Sequence, residues 1–209
     1  MSQDVLSAPN EHVREVYDRL GDLLDQGDDA FVDEGPALLR RAIRQPGFFD
    51  GVETEPATDG SYTRTKVVGD PDGHVIRFME WPPGYSLCPH EHHGRPCFEV
   101  LVDGLLHVVD MDVTRVEEKG VADGLVDENG DADGGLYELS ILDCGVTEPG
   151  QSAVVDPRDN DVHSVYSPVR SRSLHVYPDD QHFSYGYVLD EDAGGERDRY
   201  RRERFDLDE

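Results

Sequence analysis

Apolar residues recur at helical spacing near the start of the chain. Between residues 10 and 25 they fall at i, i+3 and i+4 positions, which places them on one face of an α-helix. Asn10 precedes them and is a favourable N-cap residue. A second short helix is predicted to begin near Pro36, because proline is favoured in the first helical turn, and to end before Pro46. A helical N-terminal region is therefore predicted over residues 1–58.

From residue 61 to residue 187 the pattern changes to short apolar runs that Gly, Pro and Asp interrupt. Such runs are typical of strands in an antiparallel sandwich or barrel. A mainly β domain is predicted over residues 59–190, with an Asp/Gly-rich surface loop at 123–135 and a charged, solvated tail over 191–209. The strand candidates are residues 62–68, 74–81, 97–102, 105–110, 153–155, 162–166 and 172–177.

Composition narrows the class of protein. The chain has 46 Asp+Glu against 19 Lys+Arg, a formal charge of −27. Such an excess of acid keeps a protein soluble where salt screens it, so we expect a salt-rich cytoplasm as its setting. No basic patch suits a nucleic acid, no run of apolar residues suits a membrane, and three cysteines form no disulfide framework. A cytoplasmic protein without nucleic-acid or membrane partners is predicted, and we expect a monomer.

His90 and His92 are the first candidates for chemistry. The pair stands one residue apart, and side chains alternate along a strand, so both imidazoles would lie on one face. Two imidazoles so placed can bind one metal ion. A third candidate ligand is His163, which lies in the strand candidate 162–166 and could face the pair across a barrel.

The glycine and histidine spacing resembles the first motif of the cupin superfamily. Gly84, His90, His92 and Gly104 fall on that motif, and His163 fits the single histidine of the second. Cys97 stands where cupins usually have a glutamate. Glu99 has the same strand parity as Cys97, so a site with three histidines and one carboxylate stays open as an alternative. The resemblance implies a jelly-roll barrel, the double-stranded β-helix, with short N-terminal helices.

Within the cupins, residues 60–190 are similar to cysteine dioxygenases, a family of thiol dioxygenases. Five features of that family follow one another here in the same order. They are Tyr62-Thr63-Arg64, His90-Glu91-His92, Cys97, His163 and Ser173-Leu174-His175-Val176-Tyr177.

The resemblance implies a role for each of these residues. His90, His92 and His163 would hold Fe(II). Arg64, supported by Tyr62, would bind the substrate carboxylate, and Tyr177 would lie beside it, oriented by His175 and Ser173. Members of the family from animals join the residues that match Cys97 and Tyr177 by a thioether, so that cross-link is an expectation here. These roles are implied for residues His90, His92, His163, Arg64, Tyr62, Ser173, His175, Tyr177 and Cys97.

The implied reaction is the oxidation of L-cysteine by O2 to cysteine sulfinate. Arg64 favours cysteine, because the related mercaptopropionate dioxygenases lack this arginine. Two other classes stay open at the level of sequence. The first is a different metal-dependent cupin enzyme, which would follow if Glu99 were a ligand. The second is a non-catalytic binder of a small molecule, which the Ser-His-Tyr series disfavours because a binder does not need it.

Overall fold

The structure is a computed structural model that describes residues 7–58, 60–70, 73–118, 135–193 and 197–207. Within these residues no helix combines the length and apolar composition that crossing a membrane requires. The predicted surface loop at 123–135 falls almost entirely outside them. The elements are α1 (Glu11–Gln26), α2 (Asp28–Ala42), β1 (Thr63–Gly69), β2 (Val75–Trp81), β3 (Tyr85–Glu91), β4 (Cys97–Asp103), β5 (Leu106–Glu118), β6 (Gly135–Thr147), β7 (Ser152–Val155), β8 (Val162–Ser167), β9 (Ser171–Tyr177), β10 (Phe183–Leu189) and β11 (Tyr200–Asp206).

The first helix begins where the sequence predicts. The Asn10 side chain accepts a hydrogen bond from the Val13 backbone N–H at 2.9 Å, which satisfies a free donor of the first turn. The prediction for the second helix was wrong about its start. It begins at Asp28, directly after Gly27 with its φ of 116°, and Pro36 lies inside it. Tertiary packing overrides the local preference, because Pro36 and Gly35 are both buried.

Gly35 allows α2 to lie close to the sheet. A Cβ atom built at this position would stand 2.6 Å from the Phe98 ring. Phe98 and Phe31 pack with ring centroids 5.0 Å apart. The helices therefore cover one face of the sheet closely.

Two antiparallel sheets form the body of the molecule. One has five strands in the order β1-β2-β9-β4-β7, and the other closes as β10-β11-β6-β5-β8-β3. This arrangement confirms the predicted mainly β, double-stranded β-helix class with two short N-terminal helices. Seven of the strands match the predicted runs, while β3, β6, β10 and β11 were not among them.

Side chains alternate along β2, β4 and β9, and this alternation decides which residues face the helices and which face the space between the two sheets. One face packs on the helices through residues such as Phe98, Leu174 and Val176. The opposite face contributes Cys97 and Tyr177 to a second core between the sheets. Because side chains alternate, His175 and Glu99 share this inner face.

The predicted solvated tail is instead partly a strand of the barrel. β11 pairs with β10 along its whole length and with β6 at Tyr200 and Arg201. The Arg202 guanidinium stacks 3.6 Å from the Tyr185 ring centroid and also pairs with the buried Glu91 carboxylate. Sequence alone missed β11 because charged residues that bury their stems and pair with acids give no apolar pattern.

Candidate metal centre and substrate cavity

The three predicted metal ligands come together. His90 lies near the end of β3, His92 just follows it, and pairing of β3 with β8 sets His90 opposite His163. One ligand atom from each histidine lies within 4.8 Å of the others. Among the described residues, this group contains histidines only, without a carboxylate.

Each ring has one nitrogen directed at the cluster, and the Nδ1 of His163 has no hydrogen-bond partner within the described residues. The His90 Nδ1–H donates to the Cys88 carbonyl at 3.0 Å, which frees Nε2. The His92 Nδ1 faces the Cys97 Sγ at 3.3 Å, and its Nε2 lies 3.4 Å from the His163 Nε2. Two nitrogens that share one ion at about 2.1 Å lie about 3.0–3.4 Å apart at ordinary ligand angles. The residues therefore fit a mononuclear site.

Burial keeps these imidazoles neutral. Desolvation lowers the pKa of His90 to about 4, and it holds the pKa values of His92 and His163 well below the ordinary histidine range. Repulsion between neighbouring rings acts in the same direction. Since a metal binds the unprotonated nitrogen, the cluster is in its ligating form at neutral pH.

Asp161 holds the turn that carries His92, a role that sequence reasoning missed. Its carboxylate accepts hydrogen bonds from the backbone N–H groups of His92 at 3.3 Å and Gly94 at 3.0 Å. His93 between them has a φ of 56°, a conformation that a non-glycine residue adopts only with support. The sequence signal was an Asp two residues before His163, which is too common a pattern to be specific.

The cluster opens into a cavity of about 350 Å³. Every predicted site residue lines this cavity except Ser173, which lies fully buried. Sequence reasoning did not place Trp81, Cys88 or the C-terminal residues 205–207 there. The predicted lining residues are Tyr62, Arg64, His90, His92, Cys97, His163, His175 and Tyr177.

Arg64 is the cation of this cavity. Its Nη1 donates to the Leu207 carbonyl at 3.4 Å, and its Cζ lies 5.7 Å from the Tyr177 ring centroid. Tyr62 stacks on Trp81 at 5.0 Å, nearly parallel, which fixes the start of β1. Within the described residues, the bond to Leu207 is the one hydrogen bond of this guanidinium. The guanidinium can exchange it for a stronger bond to a carboxylate.

Tyr177, His175 and Ser173 form the predicted series on β9. The Tyr177 hydroxyl lies 3.4 Å from the His175 Nδ1, and the His175 Nε2 lies 2.8 Å from the Ser173 Oγ. The Trp81 Nε1–H donates to the same Ser173 Oγ at 2.8 Å. Burial raises the pKa of Tyr177, against the opposing charge of Arg64.

Cys97 and Tyr177, the predicted cross-link pair, share the same core. The β4–β9 register sets Phe98 opposite Val176, and continuing it by one residue sets Cys97 opposite Tyr177. Burial raises the pKa of the Cys97 thiol well above its ordinary value. The thioether itself stays a prediction.

Glu99 points inward, as the open alternative required, but its neighbour is His175. The Glu99 Oε2 lies 2.9 Å from the His175 Nε2. Neither carboxylate oxygen makes a hydrogen bond of good geometry within the described residues, so the contact is an electrostatic one. The Glu99 carboxylate is not part of the three-histidine group.

No protein-family model and no curated protein matches the sequence. Several solved structures are similar to parts of the chain. A cupin superfamily protein from Desulfitobacterium hafniense is 12% identical over 62% of this chain and 84% of its own, with a TM-score of 0.37. An RmlC-like cupin protein from Desulfovibrio desulfuricans is 14% identical over 62% and 92%, with a TM-score of 0.39. KdgF from a Halomonas species is 13% identical over 57% and 82%, with a TM-score of 0.37. At these values the likeness is weak and carries no information about activity.

Proposed function

We propose that this protein is a thiol dioxygenase that converts L-cysteine and O2 to cysteine sulfinate. The observation that carries the proposal is that one cavity of about 350 Å³ is lined by a three-histidine cluster, the Arg64 guanidinium and the Tyr177 hydroxyl. A neutral three-histidine set leaves the full charge of a divalent ion and several open ligand positions. This donor set suits Fe(II) and an anionic thiolate substrate.

Each residue of the chain has a definite task in this proposal. His90, His92 and His163 would hold Fe(II), which when bound supplies the redox chemistry that joins both atoms of O2 to the substrate sulfur. The reaction balances, since a thiol plus O2 has the composition of a sulfinic acid. Thiol deprotonation is assigned to the positive charge that a bound ion would bring to the site, since a nearby cation lowers the pKa of a thiol.

Arg64 is assigned to the substrate carboxylate. The guanidinium would exchange the Leu207 carbonyl for a carboxylate, which it can bind through two parallel hydrogen bonds. Tyr177 lies beneath Arg64 and would hold its hydroxyl close to the bound substrate. The two groups together orient the substrate rather than react with it.

Oxygen uptake by the Fe(II)-loaded protein tests the proposal. We expect rapid uptake with L-cysteine and weak uptake with cysteamine, which lacks the carboxylate. Oxygen uptake with 3-mercaptopropionate but not with L-cysteine would contradict the cysteine assignment. If none of the thiols caused uptake although iron is bound, the reaction class would be contradicted. Arg64→Ala should raise the KM for cysteine more than about tenfold while iron content is unchanged.

We also propose a monomer in a reducing cytoplasm. The three cysteines, Cys88, Cys97 and Cys144, are all free thiols, as expected in a reducing compartment. Light scattering in high salt tests the monomer. A dimer would contradict it and would draw attention to Ile141 and Leu142, whose exposed fractions on β6 are 69% and 57%.

A further inference from the structure

Glu99 is a buried carboxylate that the proposed reaction does not use. It lies on β4 with an exposed fraction of 6%, and neither of its oxygens has a hydrogen bond within the described residues. A carboxylate removed from water without a partner is strongly destabilising in general. We therefore expect another interaction to offset the unfavourable burial of the Glu99 carboxylate.

That interaction is with His175 on the neighbouring strand. The β4–β9 register sets Glu99 directly opposite His175. The Glu99 Oε2 stands 2.9 Å from the His175 Nε2, and the side chains are only 7% and 11% exposed. At this depth an electrostatic contact is poorly screened by water.

The His175 ring can hold its proton in two ways. With the proton on Nδ1, the ring donates to the Tyr177 oxygen, while Nε2 accepts from the Ser173 hydroxyl. With the proton on Nε2, the ring donates towards Ser173, while Nδ1 accepts from the Tyr177 hydroxyl. Ser173 is compatible with both arrangements. Its oxygen accepts from the Trp81 N–H and has a second lone pair for an Nε2–H, or its hydroxyl can donate to Nε2.

Glu99 favours one of them. Its carboxylate makes no hydrogen bond of good geometry with Nε2, but its negative charge at 2.9 Å favours an N–H at that nitrogen over a lone pair. We propose that Glu99 is a positioning residue that fixes His175 in the tautomer protonated at Nε2. Nδ1 then accepts a hydrogen bond from the Tyr177 hydroxyl.

This polarity has a consequence for Tyr177. A phenol that donates to an imidazole gains negative character on its oxygen and turns its lone pairs towards the cavity. Tyr177 then acts towards the substrate as an acceptor, directed by Glu99 through His175. The catalytic consequence rests on the proposed function, but the tautomer does not.

The tautomer can be measured directly by NMR. We would label histidine with ¹⁵N in the full-length protein, record long-range ¹H–¹⁵N correlations in the metal-free and Zn(II)-loaded forms, and assign the signal with His175→Gln. The wild type should show a protonated Nε2 and an unprotonated Nδ1 at His175. Glu99→Gln and Glu99→Leu should shift the population towards the Nδ1-protonated form.

A matched control isolates the effect. Glu80→Gln changes a carboxylate of similar burial, 9% exposed, that lies on β2 outside the cavity lining. It should leave the His175 signals unchanged. An Nδ1-protonated or doubly protonated His175 in the wild type would overturn the proposal, as would identical tautomer populations in the wild type and both Glu99 variants.

Activity provides a second measurement. In the Fe(II)-loaded protein Glu99→Gln should lower kcat for L-cysteine by about tenfold or more while KM changes less than about twofold. Absence of any thiol oxidation in the wild type would defeat the proposed function and leave the NMR result standing. Full activity in Glu99→Gln with a shifted tautomer would defeat only the link from Glu99 to catalysis.

Discussion

At the scale of single residues, burial decides which groups are ready for chemistry. His90, His92 and His163 are unprotonated at neutral pH because desolvation and the neighbouring rings disfavour the charged imidazolium. The cupin-like spacing predicted these three residues, but the expectation that His163 faces the pair across a barrel was wrong, because β8 pairs directly with β3. It could not predict that Glu99 faces His175 or that Asp161 holds the His92 turn, because both contacts depend on side-chain direction across strands.

Removing one ligand should empty the metal site. We expect His163→Ala to weaken Zn(II) or Fe(II) binding by more than about 100-fold, because two imidazoles cannot replace three around one ion. Metal content by atomic emission after dialysis measures this. His107→Ala, on β5 and outside the cavity lining, is the control and should keep one ion per chain. Equal metal content in both variants would contradict the assignment.

The lowered histidine pKa values predict that the metal-free protein loses stability on mild acidification. The unfolded chain takes up protons as pH falls through about 6.5, whereas the pKa of folded His90 is about 4. This contribution is complete above the unfolded pKa and is lost as pH falls towards the folded one. Urea denaturation would measure the free energy of unfolding at about pH 7.5 and about pH 5.5. The loss between the two pH values should be smaller in His163→Asn than in the wild type by roughly 1 kcal/mol. An identical difference in both proteins would contradict the prediction.

At the scale of elements, the β11 strand shows where sequence patterns fail. Apolar periodicity predicted α1 and seven of the strands, because those elements bury one or both faces in a core. The start of α2 and the existence of β11 could not be predicted in this way. α2 contains Pro36 at a position where packing outweighs local preference, and β11 is held by arginines that stack on rings and pair with acids.

The Arg202–Glu91 pair should be a major link between β11 and β3. Arg202→Met leaves the buried Glu91 carboxylate without its guanidinium, although the Tyr187 hydroxyl still donates to it at 3.1 Å. We expect a loss of about 2–3 kcal/mol in the free energy of unfolding. The double variant Arg202→Met with Glu91→Gln should recover part of this loss, because the uncompensated charge is gone.

The control for this prediction is an arginine whose ion-pair partner is exposed. Arg172→Met changes a side chain that is 45% exposed, and its partner Asp103 is 47% exposed. It should change the free energy of unfolding by less than about 0.5 kcal/mol. Equal losses in Arg172→Met and Arg202→Met, measured by urea denaturation, would show that the buried pair has no special weight.

At the scale of the whole molecule, charge is the dominant property. A formal charge of −27 on 209 residues repels itself most strongly in dilute salt. The screening length falls from about 10 Å at 0.1 M to about 3 Å at 1 M ionic strength. The salt-rich setting predicted from composition is therefore a testable property of the folded chain.

Raising KCl should stabilise the protein. Between about 0.1 M and about 1 M KCl we expect the thermal midpoint to rise by about 5 °C or more, equivalent to roughly 1–2 kcal/mol for a chain of this size. Circular dichroism melting measures the midpoint, and an uncharged osmolyte at matched osmolality is the control. A midpoint that is unchanged by KCl, or that rises equally with the osmolyte, would contradict a screening mechanism.

The most direct test of the central claim is the fate of molecular oxygen. The Fe(II)-loaded protein would be incubated with L-cysteine under ¹⁸O2 in high salt, and the product analysed by mass spectrometry. The proposed reaction predicts cysteine sulfinate in which both oxygen atoms on sulfur carry the label. A sulfinate with one labelled oxygen, or cystine as the sole product, would contradict a dioxygenase reaction in this cavity.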